Sequence, residues 1–360
     1  MKSMRAVQVD QIRKPMVVRD IPVPEIGDDD ALVRVTSSGI CRTDWHLWNG
    51  DWGWINVKLP LPIVLGHEIG GVVERLGSRV KGLTVGTRVC VPFNMACGHC
   101  PYCLKGLQND CDNFMWPMLT PGSGGFAQFV RVPNAQLNCV PLPAKVTDKD
   151  ASALGCRYMT AYRAVRTRAE LRAGETVVVT GIGGVGRSCV EIAVALGGQV
   201  IAIDTKLSAL EAAKKLGAIE VINSEGLSPK QVGERVKALT GANGVDVGID
   251  AVGGSKATLT TLSALAKGGR LVVVGLTSQE DKGELNFPID EIVAKELSVI
   301  GSLGNPQAEY PDLLRLVESG KLAPSRHIES EVGLEDVQAV FDRMPTFQTN
   351  GFILVTQFNQ

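Results

Sequence analysis

The chain has 360 residues, 37 basic and 38 acidic side chains, and a formal net charge of -1. That length exceeds what a single hydrophobic core usually carries, so two domains are expected. The balanced charge argues against nucleic acid as a partner. No apolar run is long enough for a signal peptide or membrane span, and the expectation is a cytoplasmic protein that binds neither nucleic acid nor membrane.

The first part of the chain reads as short strands between turn signals. Stretches 5–9, 31–36, 69–76, 87–91 and 126–132 are rich in valine, with Gly, Pro or Asp near their ends. This predicts an irregular, β-rich region.

The pattern then changes. Strands are predicted at 176–180, 200–203, 220–222, 245–251, 271–274 and 297–300, separated by helical stretches at 184–196, 208–216, 230–239 and 256–265. Apolar strands alternating with helices predict an α/β unit with a doubly wound parallel sheet, the Rossmann arrangement. Beyond it, helices at 310–319 and 334–343 and a strand at 352–355 form a tail too short to be a domain. The tail is expected to return to the first region. The expected division is therefore 1–156 with 302–360, and 157–301.

The strand 176–180 is followed by Gly181-Ile182-Gly183-Gly184-Val185-Gly186. In GxGxxG between strand and helix, the first glycine permits the tight turn. The second lets a pyrophosphate approach the backbone, and the third lets helix and strand pack closely. Asp204 ends the next predicted strand, where a carboxylate can accept from ribose hydroxyls and repel a 2′-phosphate, which favours NAD over NADP. Lys206 partly offsets that repulsion. Without a ligand, Asp204 reads instead as a helix N-cap.

Four of the nine cysteines, Cys97, Cys100, Cys103 and Cys111, crowd into one lobe, about residues 93–115. CxxCxxC with a fourth cysteine suits a closed, tetrahedral, structural zinc site, with an iron–sulfur cluster as the competing reading. His99 lies inside the lobe and reads as a bystander, because four thiolates suffice. Two further constellations remain: Cys41-Arg42-Thr43-Asp44-Trp45-His46 and Gly66-His67-Glu68.

Together with Gly155-Cys156 and the glycine motif, these segments make the chain resemble the medium-chain, zinc-dependent alcohol dehydrogenases, with a GroES-like catalytic domain and a Rossmann domain. The segment from Asn49 to Glu68 is closest to the microbial, tetrameric branch. The resemblance implies two zinc ions per chain, and that Cys41, His67 and Cys156 hold the catalytic one. It implies that Glu68 lies beneath that ion, as a neighbour or a transient ligand, and that Asp44 fixes the His67 tautomer. Thr43 and His46 would relay the substrate's proton, and Arg42 would contact the pyrophosphate. Trp52 and Phe93 would wall the substrate cleft.

The implied activity is reversible hydride transfer between NAD and a primary or secondary alcohol, aliphatic, allylic or benzylic. A thiolate at the third ligand position resembles the simple-alcohol branch, whereas polyol dehydrogenases of the family often carry a carboxylate there. A polyol or sugar dehydrogenase is the alternative within enzymes, and a non-catalytic NAD-binding sensor the alternative outside them. The segment 297–301 matches an edge strand that pairs subunits, which implies a homotetramer or homodimer. One departure stands out: Asn350-Gly351-Phe352 occupies the place of a late Gly-Arg-Tyr-type segment whose basic residue helps hold the pyrophosphate.

Overall fold

The structure, a computed structural model, describes residues 2–53, 57–277, 281–346 and 351–359. The chain forms two compact units, Met1–Met159 with Gly304–Gln360, and Thr160–Leu303.

The first unit is built on a mixed sheet in the order Ile328–Gly333, Phe352–Gln357, Ala31–Ile40, Glu68–Leu76, Arg88–Val91, Val140–Pro141, with Phe129–Val132 also pairing to Ala31–Ile40. A smaller sheet joins Val17–Pro22, Ser3–Val9 and Ile63–Val64. Inward-facing Val33, Val35, Ile69, Val73, Val89, Val91, Ile353 and Val355 are fully or almost fully buried. Each such side chain contributes about 1.5–3 kcal/mol by leaving water.

Register decides what the sheet presents at its end. Ala31–Ile40 and Glu68–Leu76 run antiparallel with Gly39 opposite Glu68. Cys41, just past the end of one strand, therefore lies beside His67, just before the start of the other. Phe352–Gln357 adds on the far side with Ile353 opposite Ile40. The helix Asp148–Leu154, capped by Thr147 and Asp150, lies along these strands and leads into Cys156.

The second unit carries a parallel sheet in the order Glu220–Asn223, Gln199–Asp204, Thr176–Thr180, Val245–Asp250, Leu265–Val273, Ser298–Gly301. Its central strands are buried on both faces, so they read as unbroken apolar runs rather than alternating ones. No helix among the described residues is long and apolar enough to cross a membrane.

Several sequence expectations need correction. The stretch 126–132 is a strand only over Phe129–Val132, because Phe126 instead donates its N–H to the Leu65 carbonyl. The helix expected to reach 265 stops at Ser263, and Leu265 opens a strand that runs to Val273. Elements that went unread include the strands Val17–Pro22 and Ile328–Gly333 and the helices Arg42–Asn49, Asp148–Leu154, Arg157–Tyr162 and Ile289–Ala294.

Candidate active site and metal centres

Cys41 caps the N-terminus of the helix Arg42–Asn49. Asp44, in the first turn of that helix, is completely buried and organises the corner. Its Oδ2 accepts the Cys41 N–H at 2.9 Å. Its Oδ1 accepts the Gly66 N–H at 3.0 Å and pairs with His67 Nδ1 at 2.9 Å. One carboxylate thus binds both segments that bear candidate ligands and fixes which histidine nitrogen points away.

That other nitrogen, His67 Nε2, is buried without a hydrogen-bond partner. It belongs to a group with Cys41, Glu68 and Cys156 whose ligand atoms all lie within 4.8 Å of one another. A buried, partnerless imidazole nitrogen facing two sulfurs is costly unless a cation sits between them. The Cys2His donor set is one that zinc takes while keeping a further position free. Without a metal, the Cys41 thiol is held well below its ordinary range, chiefly by the hydrogen bond from Cys156, and Cys156 is correspondingly pushed up. Burial drives the Glu68 carboxyl up to about 8 against the opposing charge of Arg157.

The second group, Cys97, Cys100, Cys103 and Cys111, also brings its sulfurs within 4.8 Å of one another. Backbone N–H groups of Cys97, Cys103 and Asn113 point at these sulfurs, as expected around thiolates. Asn134 and Asn138 hold the lobe by donating to the Ala96 and Cys97 carbonyls. His99 is exposed and turned to the Cys97 carbonyl at 2.9 Å, outside the sulfur group. Four cysteines with a closed shell fit a structural zinc.

In the second unit, Gly181 ends the strand Thr176–Thr180 at φ 84°, a conformation that favours glycine. A Cβ on Gly186 would lie 1.7 Å from the Gly181 carbonyl oxygen, whereas one on Gly183 would meet nothing within 4 Å. The third glycine is thus required by packing, and the second leaves the loop surface open. Gly184 and Val185 begin the helix, whose free N–H groups suit a phosphate. Asp204 caps no helix; the following helix is capped at Lys206 without a side-chain bond. The carboxylate instead accepts from Ile182 N at 2.7 Å and Lys206 N at 2.9 Å, buttressing the glycine loop.

Comparison with known proteins agrees with this geometry. The family described as "Alcohol dehydrogenase GroES-like domain" matches residues 27–144, and "Zinc-binding dehydrogenase" matches 184–319. An alcohol dehydrogenase of Geobacillus stearothermophilus is 33% identical, over 98% of this chain and 99% of that one. An NAD-dependent alcohol dehydrogenase of Saccharolobus solfataricus is 33% identical, over 97% and 98%. The structure of an alcohol dehydrogenase from Thermus sp. ATN1 superposes with a TM-score of 0.88 at 33% identity, covering 98% of this chain and 99% of that one. The chain belongs to the zinc-dependent medium-chain alcohol dehydrogenase family.

Around the Cys2His group of this family member, Phe93 packs edge-on against His67, with ring centroids 6.1 Å apart. Trp52 is buried and stacks between His46 and Trp116 at 5.5 and 5.8 Å. Met118 is wholly buried in the core. Trp48 serves packing, lying edge-on to Phe341 and donating to the Lys14 carbonyl, and Trp45 lies beneath the Arg42 guanidinium. Arg42 also donates to the Met344 carbonyl at 3.0 Å. Thr43 lies in the first turn of the same helix. Trp54 and Asn350 fall outside the described residues.

Two residues escaped sequence reasoning. Asp51 pairs with His46 Nδ1 at 2.6 Å. Arg157 places Nε 2.9 Å from Glu68 Oε1. Asp51 lies just past the end of the His46 helix, so proximity in sequence was an available signal. Arg157 directly follows Cys156, but nothing local ties it to Glu68.

Proposed function

We propose that this protein is a zinc-dependent, NAD-linked alcohol dehydrogenase interconverting primary or secondary alcohols, aliphatic, allylic or benzylic, with aldehydes or ketones. The observation that carries the reading is the partnerless His67 Nε2, buried against Cys41 and Cys156 and held there by Asp44.

Cys41, His67 and Cys156 would hold a catalytic zinc, and Cys97, Cys100, Cys103 and Cys111 a second, structural one. When bound, zinc supplies Lewis acidity that makes an alcohol hydroxyl acidic, and NAD supplies the hydride acceptor. The chain's own residues do the rest. Asp44 fixes the His67 tautomer so that Nε2 faces the metal. The Thr43 hydroxyl accepts the substrate's proton, and His46 passes it to solvent, its far nitrogen oriented by Asp51. Trp52 and Phe93 exclude water and offer apolar walls, which suits small uncharged substrates. Gly181, Gly183, Gly184, Val185 and Gly186 receive the pyrophosphate and Arg42 contacts it, while Asp204 selects an unphosphorylated ribose, a preference that Lys206 partly offsets.

We read the assembly as a homotetramer or homodimer. Support comes from the outer strand Ser298–Gly301, with Val299 exposed, and from exposed Ile289 and Val293 on the neighbouring helix. We read the location as cytoplasmic, in keeping with nine free cysteines.

An alcohol and aldehyde panel with both cofactors, followed at the NADH absorbance, tests the activity beside metal analysis expecting two zinc ions per chain. Turnover of butanol or benzyl alcohol with NAD is expected. Turnover confined to sorbitol or xylitol would replace this reading with the polyol one, and zinc binding without turnover of any alcohol would leave a sensor.

A further inference from the structure

The Glu68 carboxylate has two claimants. One of its oxygens belongs to the group that converges with Cys41, His67 and Cys156. Its Oε1 also lies 2.9 Å from Arg157 Nε, both side chains being almost wholly buried. Neither oxygen accepts a well-aligned hydrogen bond, so no directional bond fixes Glu68 in place. The carboxylate is also closely confined: a Cβ on Gly39 would lie 1.9 Å from Oε2.

Arg157, in contrast, is anchored from other sides. Its Nη2 donates to the Ile40 carbonyl at 2.6 Å. Its guanidinium lies over the Phe352 ring, 4.2 Å from the centroid. Phe352 belongs to the late segment that lacks the basic residue expected there. Arg157 is thus tied to the residue before Cys41 and is itself the residue after Cys156. A fixed cation and a carboxylate without aligned bonds sit beside a site suited to a second cation. Removing a partner from a buried ion pair leaves a charge that must find another counterion.

Resting on the zinc reading above, we infer that Arg157 is a positioning residue that holds Glu68 off the catalytic metal and so keeps one coordination position open to substrate. Without Arg157, the bound metal is the counterion left to Glu68. The carboxylate then becomes a ligand, the position closes, and the metal is held more tightly.

The test uses full-length protein with cobalt(II) at the Cys41–His67–Cys156 site, read by its visible spectrum with and without added imidazole, and by the rate of cobalt removal by a chelator. In the parent, imidazole should shift the spectrum. Arg157→Met should lose that shift and release cobalt at least about tenfold more slowly, and Arg157→Met with Glu68→Gln should regain both parent properties. Glu68→Gln alone should leave the parent spectrum unchanged. This last arm decides even where Arg157→Met fails to fold, because a changed spectrum would mean that Glu68 is already a ligand. An imidazole response retained in a folded Arg157→Met would also overturn the inference. Failure of cobalt to give any thiolate charge-transfer band would overturn the zinc reading itself, a different result from either.

Discussion

Asp44 and His67 form a completely buried pair, carboxylate oxygen to Nδ1 at 2.9 Å, and the same carboxylate accepts the backbone N–H of Cys41. Removing its charge should loosen two ligands at once. Asp44→Asn is expected to weaken metal binding about 10–100-fold, measured by chelator competition. Unaltered zinc affinity in the folded variant would show that the pair is merely structural.

Asp51 should act on the proton path and not on the metal. It holds His46 Nδ1 while Trp52 stacks on the same ring. His46→Ala should lower the rate of alcohol oxidation by about 10²-fold or more, partly rescued by added imidazole. Asp51→Asn should give a smaller loss, with zinc content unchanged. Equal loss of zinc and activity in either variant would contradict this division of labour.

The cysteine lobe should matter to stability first. It has little apolar core beyond the sulfurs, Ala96 and Leu137, so a metal would supply much of its fold energy. Cys100→Ala is expected to lower Tm by several degrees and to leave one zinc ion per chain. Melting like the parent would remove the structural-zinc reading.

Asp204 braces Ile182 and Lys206, and the proposed function gives it a second duty, contact with the ribose. Asp204→Ala should therefore weaken NAD binding through both the lost ribose contact and the loosened loop. NADP binding should gain from the lost repulsion, so the NAD-to-NADP ratio of kcat/KM falls. An unchanged ratio would mean that Asp204 only braces the loop.

How much of this was legible beforehand follows from where the information lies. The strands Thr176–Thr180 and Val245–Asp250 are buried on both faces, so their composition alone reveals them. The strand Ile328–Gly333 alternates exposed and half-buried residues at a sheet edge, and its Glu-Ser-Glu run hides it. The helix Arg42–Asn49 is short and tryptophan-rich, a composition with little helical preference; its cap and tertiary contacts impose it. The four-cysteine lobe was legible from its spacing, whereas Cys41, His67 and Cys156 stood out as candidates only through the family resemblance. Arg157 was not legible, since its pairing with Glu68 arises from sheet register and a helix that returns from far along the chain.

Asp250 allows a test of pH dependence away from the metal sites. It is fully buried. Its Oδ1 accepts from Val252 N at 2.9 Å and Gly253 N at 3.0 Å, and its Oδ2 from Thr258 Oγ1 at 2.6 Å. Burial raises its pKa above the ordinary 3.8, with the Thr258 and backbone bonds opposing. The folded state therefore binds this proton more tightly than the unfolded chain. The resulting stability is full below 3.8 and is lost as pH rises through the folded value. In Asp250→Asn, Oδ1 keeps the two backbone donors. The new amide can donate to Thr258 Oγ1, which already reaches the Gly254 carbonyl at 2.9 Å. Asp250→Asn should thus be as stable as the parent or more so at neutral pH, with the advantage shrinking as pH falls. Asp250→Ala should cost about 1–3 kcal/mol by stranding buried donors. Denaturant melts of the three proteins from neutral to mildly acidic pH measure both effects. A parent that gains nothing on Asp250→Asn as the pH drops would show that Asp250 is not the group that titrates.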